Sequence, residues 1–552
     1  MPRTVLLGTI SSVYHDWVPY PVGCLISHCM KNPNIAKDTN FLEPLYKNKW
    51  DNEDTHKKLK QADILGLTCY VWNQNANDEI AQIFKKYNPN GIVVYGGPNV
   101  PEENLEDFKR DYVDHYMTGP GELQWEKLLD PTSESEYAIP TPYTDGIFDD
   151  ILKREDDIAV AFETNRGCPY HCAFCDWGGV SRSKITKLKD AAVKETIEHV
   201  LSFDKVKRLE ILDANYGIFP RDVDFVQHIV DNKKRDDMLL TFAGFAKNGS
   251  PYLADIMNLT MDNFNDKLRN VKISLQTLTP DVLDTIQRKN ISTDKLLRIM
   301  DQLRDIKVNS ELIIGLPGET ADSWADTLFK HPELGIDFAR AYPLYVLPNT
   351  PMATQDYRTK HKIKTKKITL PNKETFEMIY ECSSYDLEEI TQIYLNWWYF
   401  NTFYNFGIDK TITKDNMKDF FANLKDMPFM SCCVEEVTNI LHRIFKPENE
   451  MLLEGYDYNF LHDYHVWLSK IIHYFCYHNS NEIDNILKSD DVLHTLQAFK
   501  DMGVKIEESG NKILIHGKGL NSLKKPKNKI YLGNSGTSAR LLTGLLSSQK
   551  FE

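Results

Sequence analysis

Apolar positions along the first 130 residues come in short continuous runs separated by amphipathic stretches. Thr4–Ile10 and Ile64–Tyr70 are runs of strand length, and Ile92–Tyr95 is a third that ends in Gly96-Gly97-Pro98. Between them Pro21–Met30 is apolar at helical spacing and Asn77–Tyr87 is amphipathic. Continuous apolar strands alternating with helices predict a parallel sheet covered on both faces. A doubly wound sheet of this kind binds ligands at the carboxyl ends of its strands, where glycine lets backbone approach closely.

The rhythm pauses at residues 131–150, PTSESEYAIPTPYTDGIFDD, which read as a linker rich in Pro, Ser, Thr and acid. It resumes from 151 to about 365 with strands expected at Ile158–Thr164, Arg208–Asp213, Leu239–Phe245, Val271–Leu275, Glu311–Gly315 and Phe338–Leu347. Helical patterns such as Ala191–Leu201 and Thr293–Arg304 lie between them. Six βα units in series predict an open barrel shorter than the eight of a full one. From about 370 to 482 the pattern turns helical, at Glu374–Tyr404, Asp415–Lys425 and Leu461–Tyr477, with Trp397-Trp398-Tyr399-Phe400 read as core packing. Residues 483–552 change again, to a helix (Val492–Met502), a strand (Lys512–Gly517) and a Gly/Ser turn opening a helix (Ser535–Leu546).

Composition narrows the class. The chain has 552 residues, 42% apolar and 26% charged, which excludes fibrous or wholly disordered chains. Its net charge of −14 makes nucleic acid and anionic membrane poor default partners. No apolar run approaches the ~18 residues of a membrane span, and the first residues lack a signal-peptide pattern. The expectation is a cytoplasmic multidomain enzyme acting on a small molecule.

The ten cysteines are scattered except for one cluster. Cys168, Cys172 and Cys175 lie in RGCPYHCAFCDWGG directly after the Ile158–Thr164 strand. A CxxxCxxC loop can turn three thiolates toward a common point, and thiolate is the usual ligand of iron–sulfur clusters. Three ligands to four irons leave one iron open for a substrate or cofactor. A structural zinc site would want a fourth Cys or His at matching spacing. No second CxxC pair exists, and His171 adjoins the proposed ligand Cys172.

With Phe174 before its third cysteine, this loop resembles the signature of the radical S-adenosylmethionine (SAM) superfamily. The resemblance continues through RLEILDANYG (208–217), FAGFAKN (242–248), VKISLQTLTPDVLDTIQRKN (271–290), ELIIGLPGET (311–320) and YPLYVLPNTPM (342–352). PVGCL (21–25), LGLTCYVWN (65–73), VVYGGPNVP (93–101) and TGPGE (118–122) resemble the cobalamin-binding branch. The resemblance implies an α/β protein in four parts: a Rossmann-like cobalamin-binding domain (1–135), a partial (β/α)6 radical SAM barrel (151–365), a helical region (370–482) and a partial α+β tail (483–552).

What the resemblance implies for individual residues follows. Cys168, Cys172 and Cys175 hold a 4Fe–4S cluster whose open iron chelates SAM, and an electron from a donor such as flavodoxin or ferredoxin cleaves SAM to a 5′-deoxyadenosyl radical. Phe174 and Trp177 lie near the adenine. Asp213 and Asn215 end a barrel strand, where barrel sites lie, and the carboxylate can receive the SAM amino group. Ser274, Gln276 and Glu311 face the same mouth, and Arg288 can pair with the SAM carboxylate as a fork. For each polar residue the alternative is fold support through caps and strand-end hydrogen bonds; a lone Lys247 is more simply solvated. Thr68, Cys69, Tyr70, Gly96 and Gly97 line the cobalamin crevice. There is no DxHxxG motif, so the corrinoid's lower face would carry no protein histidine; His15 in VYHDW reads as a loop histidine. The commonest chemistry of this architecture is methylation of an unreactive carbon or phosphorus, with rearrangement or cyclisation as the alternative. A non-catalytic metal or corrinoid carrier is the rival of another class, disfavoured by the full set of strand-end segments.

The tail resembles an early internal piece of 5-enolpyruvylshikimate-3-phosphate synthase. Gly533 to Thr537, with Arg540 following, matches that family's substrate-site loop; by itself such a loop can bind an anion or simply cap a helix. The family's segments before and after this piece are missing, so no enolpyruvyl transfer is expected. Lys524, Lys525, Lys527 and Lys529 read as a solvated loop.

Overall fold

The structure is a computed structural model. It describes residues 2–10, 17–156, 158–178, 184–245, 250–265, 270–369, 374–401, 480–484, 490–510, 512–516, 523–532, 539, 542 and 546. The chain divides into two compact units, the first holding residues 1–414 and 438–455, the second 415–437 and 456–552.

The first unit begins with a five-stranded sheet. Its strands are β1 (Arg3–Gly8), β2 (Thr39–Phe41), β3 (Ile64–Thr68), β4 (Ile92–Gly96) and β5 (His115–Met117). They run parallel in the order β2-β1-β3-β4-β5. That is a doubly wound order with a switch point between β1 and β3. Both faces are buried, and the period-two alternation decides which residue goes where. Leu6, Leu65, Leu67, Val93 and Tyr95 pack with Leu59, Ile80 and Phe84 of helices Glu53–Gln61 and Gln74–Tyr87. Val5, Leu7, Ile64 and Val94 pack on the opposite face with Val22 and Ile26 of helix Tyr20–Met30 and Trp125 of helix Gly121–Leu129. Gly66 sits under Trp125, where a Cβ would lie 2.3 Å from the indole.

Six further parallel strands follow in two ladders of three. β6 (Ala159–Phe162) pairs with β9 (Arg208–Ile211), which pairs with β10 (Leu239–Phe242). A two-residue hairpin, β7 (Asn165–Arg166) with β8 (Thr186–Lys187), leaves the end of β6 and brackets the cysteine loop. β11 (Asn270–Gln276), β12 (Lys307–Ile314) and β13 (Phe338–Pro343) form the second ladder. The six expected strands are all present. Helices Asp190–Leu201 and Arg221–Asn232 cover the first ladder with Val193, Ile197, Phe225 and Ile229.

Two expectations change. Residues 131–150 are not merely a linker: Tyr143 and Phe148 are fully buried in the core of the first ladder, and Tyr143 OH donates to the Ala161 carbonyl at 2.6 Å. Residues 374–404 do not begin as a helix. β14 (Lys364–Thr369) and β15 (Thr375–Glu381) form an antiparallel hairpin, in which Met378 and Ile379 are buried and Glu377 takes a bidentate pair from Arg358 at 2.8 and 2.9 Å. Helix Leu387–Tyr399 follows, and Trp397 to Phe400 are buried, in keeping with the core-packing reading. The expected helices Asp415–Lys425 and Leu461–Tyr477 lie outside the described residues, as do His15 and Lys247.

In the second unit β16 (Ser480–Asp484), β17 (Lys505–Ser509) and β18 (Lys512–His516) form an antiparallel sheet in the order β16-β18-β17 beside helix Asp490–Asp501. The Gly533–Thr537 loop and Arg540 lie outside the described residues. Among the described residues no helix is long and apolar enough to cross a membrane.

Candidate functional site

The cysteine loop leaves β7 through Gly167, whose φ of +102° is a left-handed turn. Its far side is pinned twice by backbone: Ala173 N–H donates to Ile286 O at 2.9 Å, and Met352 N–H donates to Ala173 O at 3.0 Å. Cys168 and Cys172 are buried and Cys175 is half-buried. Among the described residues no three His, Cys, Asp or Glu side chains converge on a single-ion site.

The surroundings fit negative sulfur. Asn215, 2% exposed, places Nδ2 3.0 Å from Cys168 Sγ, while its Oδ1 is buried with no hydrogen-bond partner. Arg288, 4% exposed, points Nη1 at Cys172 Sγ, 3.9 Å away. Burial pulls the Arg288 pKa below its ordinary value while the three cysteines oppose the change. Its other donors reach Asn290 Oδ1 at 2.8 Å and the Ser274 carbonyl. Ser274 Oγ donates to Glu311 Oε2 at 2.9 Å across the β11–β12 ladder. Gln276 ends β11 just past a bulge with a φ of 67°, a left-handed conformation unusual for a residue with a side chain.

Asp213 is fully buried and turns to the chain itself. Its Oδ1 accepts from Thr164 N–H at 2.7 Å and Asn165 N–H at 3.2 Å. Its Oδ2 accepts from Asn165 Nδ2 at 2.6 Å and from the Thr164 hydroxyl. Burial pushes its pKa up to about 7 against these donors. The carboxylate thus holds the turn that launches the cysteine loop, the fold-support reading of this residue.

A cavity of about 660 Å³ joins the loop to the sheet. Thr68, Tyr70, Gly96 and Gly97 line it from the strand ends, and Phe174, Cys175 and Trp177 from the cysteine loop. Gly97 has a φ of +101°, and a Cβ there would lie 2.9 Å from the Cys69 carbonyl, so this turn requires glycine. Cys69 does not join the lining residues. One step along the strand, its thiol faces the opposite core, where Asn77 Nδ2 lies 3.6 Å away and burial raises its pKa. Tyr70 stacks on Trp72 with ring centroids 4.5 Å apart.

Sequence reasoning missed an ionic cluster on the cavity wall. Arg166 Nη1 donates to Glu122 Oε1 and to Tyr137 OH, both at 2.6 Å, and Nη2 donates to Glu163 Oε2 at 2.6 Å. It also missed Asn349, whose Nδ2 donates to the Pro98 and Val100 carbonyls at 2.9 Å while its Oδ1 accepts from Glu102 N–H at 2.8 Å. Arg166 stands two residues before Cys168 and Glu122 ends TGPGE, so both lay within segments already singled out.

Comparison with known proteins identifies the parts. Residues 162–330 match the radical SAM superfamily model, and residues 477–552 match that of EPSP synthase (3-phosphoshikimate 1-carboxyvinyltransferase). The chain therefore carries a radical SAM domain and a C-terminal EPSP synthase-like segment. It is, more particularly, a homologue of cobalamin-dependent radical SAM methyltransferases. It is 30% identical over 417 residues to the cobalamin-dependent radical SAM methyltransferase TokK of Streptomyces tokunonensis, covering 67% of this chain and 61% of that one. It is 30% identical over 378 residues to the 2-(S-pantetheinyl)-carbapenam-3-carboxylate methyltransferase of Streptantibioticus cattleyicolor, covering 62% of this chain and 55% of the relative. The chain thus spans less than two thirds of either relative. The radical SAM methyltransferase TsrM of Kitasatospora setae, solved with cobalamin and a [4Fe-4S] cluster, has the same fold at a TM-score of 0.52 and 14% identity, covering 72% of this chain and 89% of that one.

Proposed function

We propose that the chain is a cobalamin-dependent radical SAM methyltransferase acting on an unactivated carbon or phosphorus of a small molecule. The observation that carries the reading is the shared cavity: the cysteine loop and the carboxyl ends of the doubly wound sheet line one space. The assignment of residues 1–135 as the cobalamin domain and 151–365 as the barrel belongs to the same reading.

Cys168, Cys172 and Cys175 would hold the cluster, and Gly96-Gly97, Thr68 and Tyr70 would lie against the corrinoid. When bound, the cluster with SAM supplies a 5′-deoxyadenosyl radical and the corrinoid supplies a methyl group. The chain binds, orients and shields. Arg288 sets a positive charge beside the sulfurs, and Asn215 presents an unpartnered acceptor to a ligand donor. Phe174 and Trp177 offer aromatic faces to an adenine, and Leu347 and Pro348 help to keep water from the cavity. Ser274 links Glu311 to Arg288, its hydroxyl donating to the one and its carbonyl accepting from the other, and Gln276 ends the same strand. Two experiments test the reading. Anaerobically reconstituted chain is expected to bind four irons and one cobalamin and, with reductant, to release methionine and 5′-deoxyadenosine. A chain that binds neither group would overturn it.

A further inference from the structure

We propose that Asn215 is a positioning residue for the electron chemistry: its carboxamide N–H holds the Cys168 sulfur and sets how readily the cluster accepts an electron. The proposal rests on the reading that the three cysteines carry a four-iron cluster. A thiolate accepts hydrogen bonds and donates none, so the amide must turn its NH2 toward sulfur. The 3.0 Å Nδ2–Sγ separation is that arrangement. Both residues are at most 2% exposed, so water does not compete for the sulfur. In such surroundings a hydrogen bond is strengthened. Donors to cluster sulfurs withdraw charge and stabilise the reduced, more negative state, which raises the reduction potential.

The second observation is the other end of the same amide. Oδ1 is buried with no partner, and an unmet buried acceptor is costly. Rotating the amide would satisfy that oxygen no better and would face two acceptors, oxygen and sulfur, against each other. The orientation is therefore fixed by sulfur, with the carbonyl left to accept from a ligand. The three cysteines are not equivalent: Cys168 has this direct donor, Cys172 has the Arg288 guanidinium 3.9 Å away, and Cys175 is half-buried against the cavity.

The test uses the reconstituted full-length chain as wild type, Asn215→Leu and Asn215→Asp. Iron and sulfide per chain are measured first, then the cluster is titrated with reductant and followed by electron paramagnetic resonance. Both variants are expected to retain four irons. At a fixed poise their reduced-to-oxidised ratio should fall about tenfold, which is 59 mV for a one-electron couple. A second measurement needs no variant to fold. Wild type labelled with 15N in asparagine side-chain amides should show a nitrogen coupling to the reduced cluster in pulsed resonance. Fully loaded variants that titrate with the wild type, or the absence of the 15N coupling in loaded wild type, would overturn the proposal. A wild-type chain that assembles no four-iron cluster overturns instead the reading of the cysteines beneath it.

Discussion

Asp213→Asn should make the protein's stability less dependent on pH between about 4 and 7. The wild-type carboxyl is fully buried, and burial lifts its pKa from the ordinary 3.8 to about 7. A raised carboxyl pKa means that the folded state holds a proton the unfolded chain has released. The stability from this group is complete below pH 4 and is lost as pH rises through 7. At 1.36 kcal/mol per tenfold in proton affinity, the whole effect is about 4 kcal/mol. Asparagine imitates the neutral acid but cannot ionise. It keeps an oxygen for the Thr164 and Asn165 N–H groups and sets an NH2 against Asn165 Nδ2, at a cost of about 1–3 kcal/mol. The variant should therefore be the less stable protein at pH 4, should overtake the wild type between about pH 4.5 and 6, and should be the more stable one at pH 8. Denaturant midpoints of both proteins at half-unit pH steps measure the difference directly, since every other titrating group cancels in the subtraction. A difference that stays flat from pH 4.5 to 8 would refute the reasoning and leave the carboxylate ionised throughout, held by its four donors.

Other perturbations separate binding from folding. Cys168→Ala, Cys172→Ala and Cys175→Ala should each abolish SAM cleavage and lower bound iron well below four per chain, as read by iron assay and absorbance. Gly97→Ala forces a side chain into left-handed backbone and 2.9 Å from a carbonyl oxygen; it should cost about 1–3 kcal/mol in urea denaturation and reduce cobalamin uptake. Arg166→Met would leave Glu122 and Glu163 buried without their cation and should cost about 3–5 kcal/mol, with Arg166→Lys recovering only part because it lacks the fork. Deleting 483–552 should leave SAM cleavage at the full-length rate in a product assay.

How much was legible depended on how local the signal was. The long strands stood out because Val5 to Leu7 and Val93 to Tyr95 are apolar on both faces. β2 and β5 are three residues each and carry no period to read. Helix Glu53–Gln61 buries only Thr55 and Leu59, too little apolar surface to show as a stripe. The hairpin of β14 and β15 was hidden because TFEMIYE runs directly toward a helix-patterned stretch. The cysteine loop was read from spacing alone, since its three residues span eight positions. Arg166 and Asn349 were not legible as site residues: their partners stand 44 and about 250 residues away in sequence, and only the fold brings them together.

Those distant contacts explain how residues of two sequence modules come to line one cavity. The β13 exit loop reaches the Gly97–Glu102 turn through Asn349 and returns to the cysteine loop through Met352, whose N–H meets the Ala173 carbonyl. Glu374, just before β15, accepts the Asn75 N–H at 3.1 Å and so caps helix Gln74–Tyr87, because Asn73 spends its own side chain on Tyr70 N–H and the Thr68 carbonyl. Arg166 closes the circuit from the other side by tying the start of the cysteine loop to Glu122 at the foot of helix Gly121–Leu129. The ties run through loops, the first turns of two helices and the short strand β7, and none joins a strand of the five-stranded sheet to a strand of either ladder. Loop positions at the carboxyl ends, where parallel sheets bind their ligands, therefore carry the alignment. A small shift in any one of these ties would move the crevice relative to the cysteines while leaving both sheets intact.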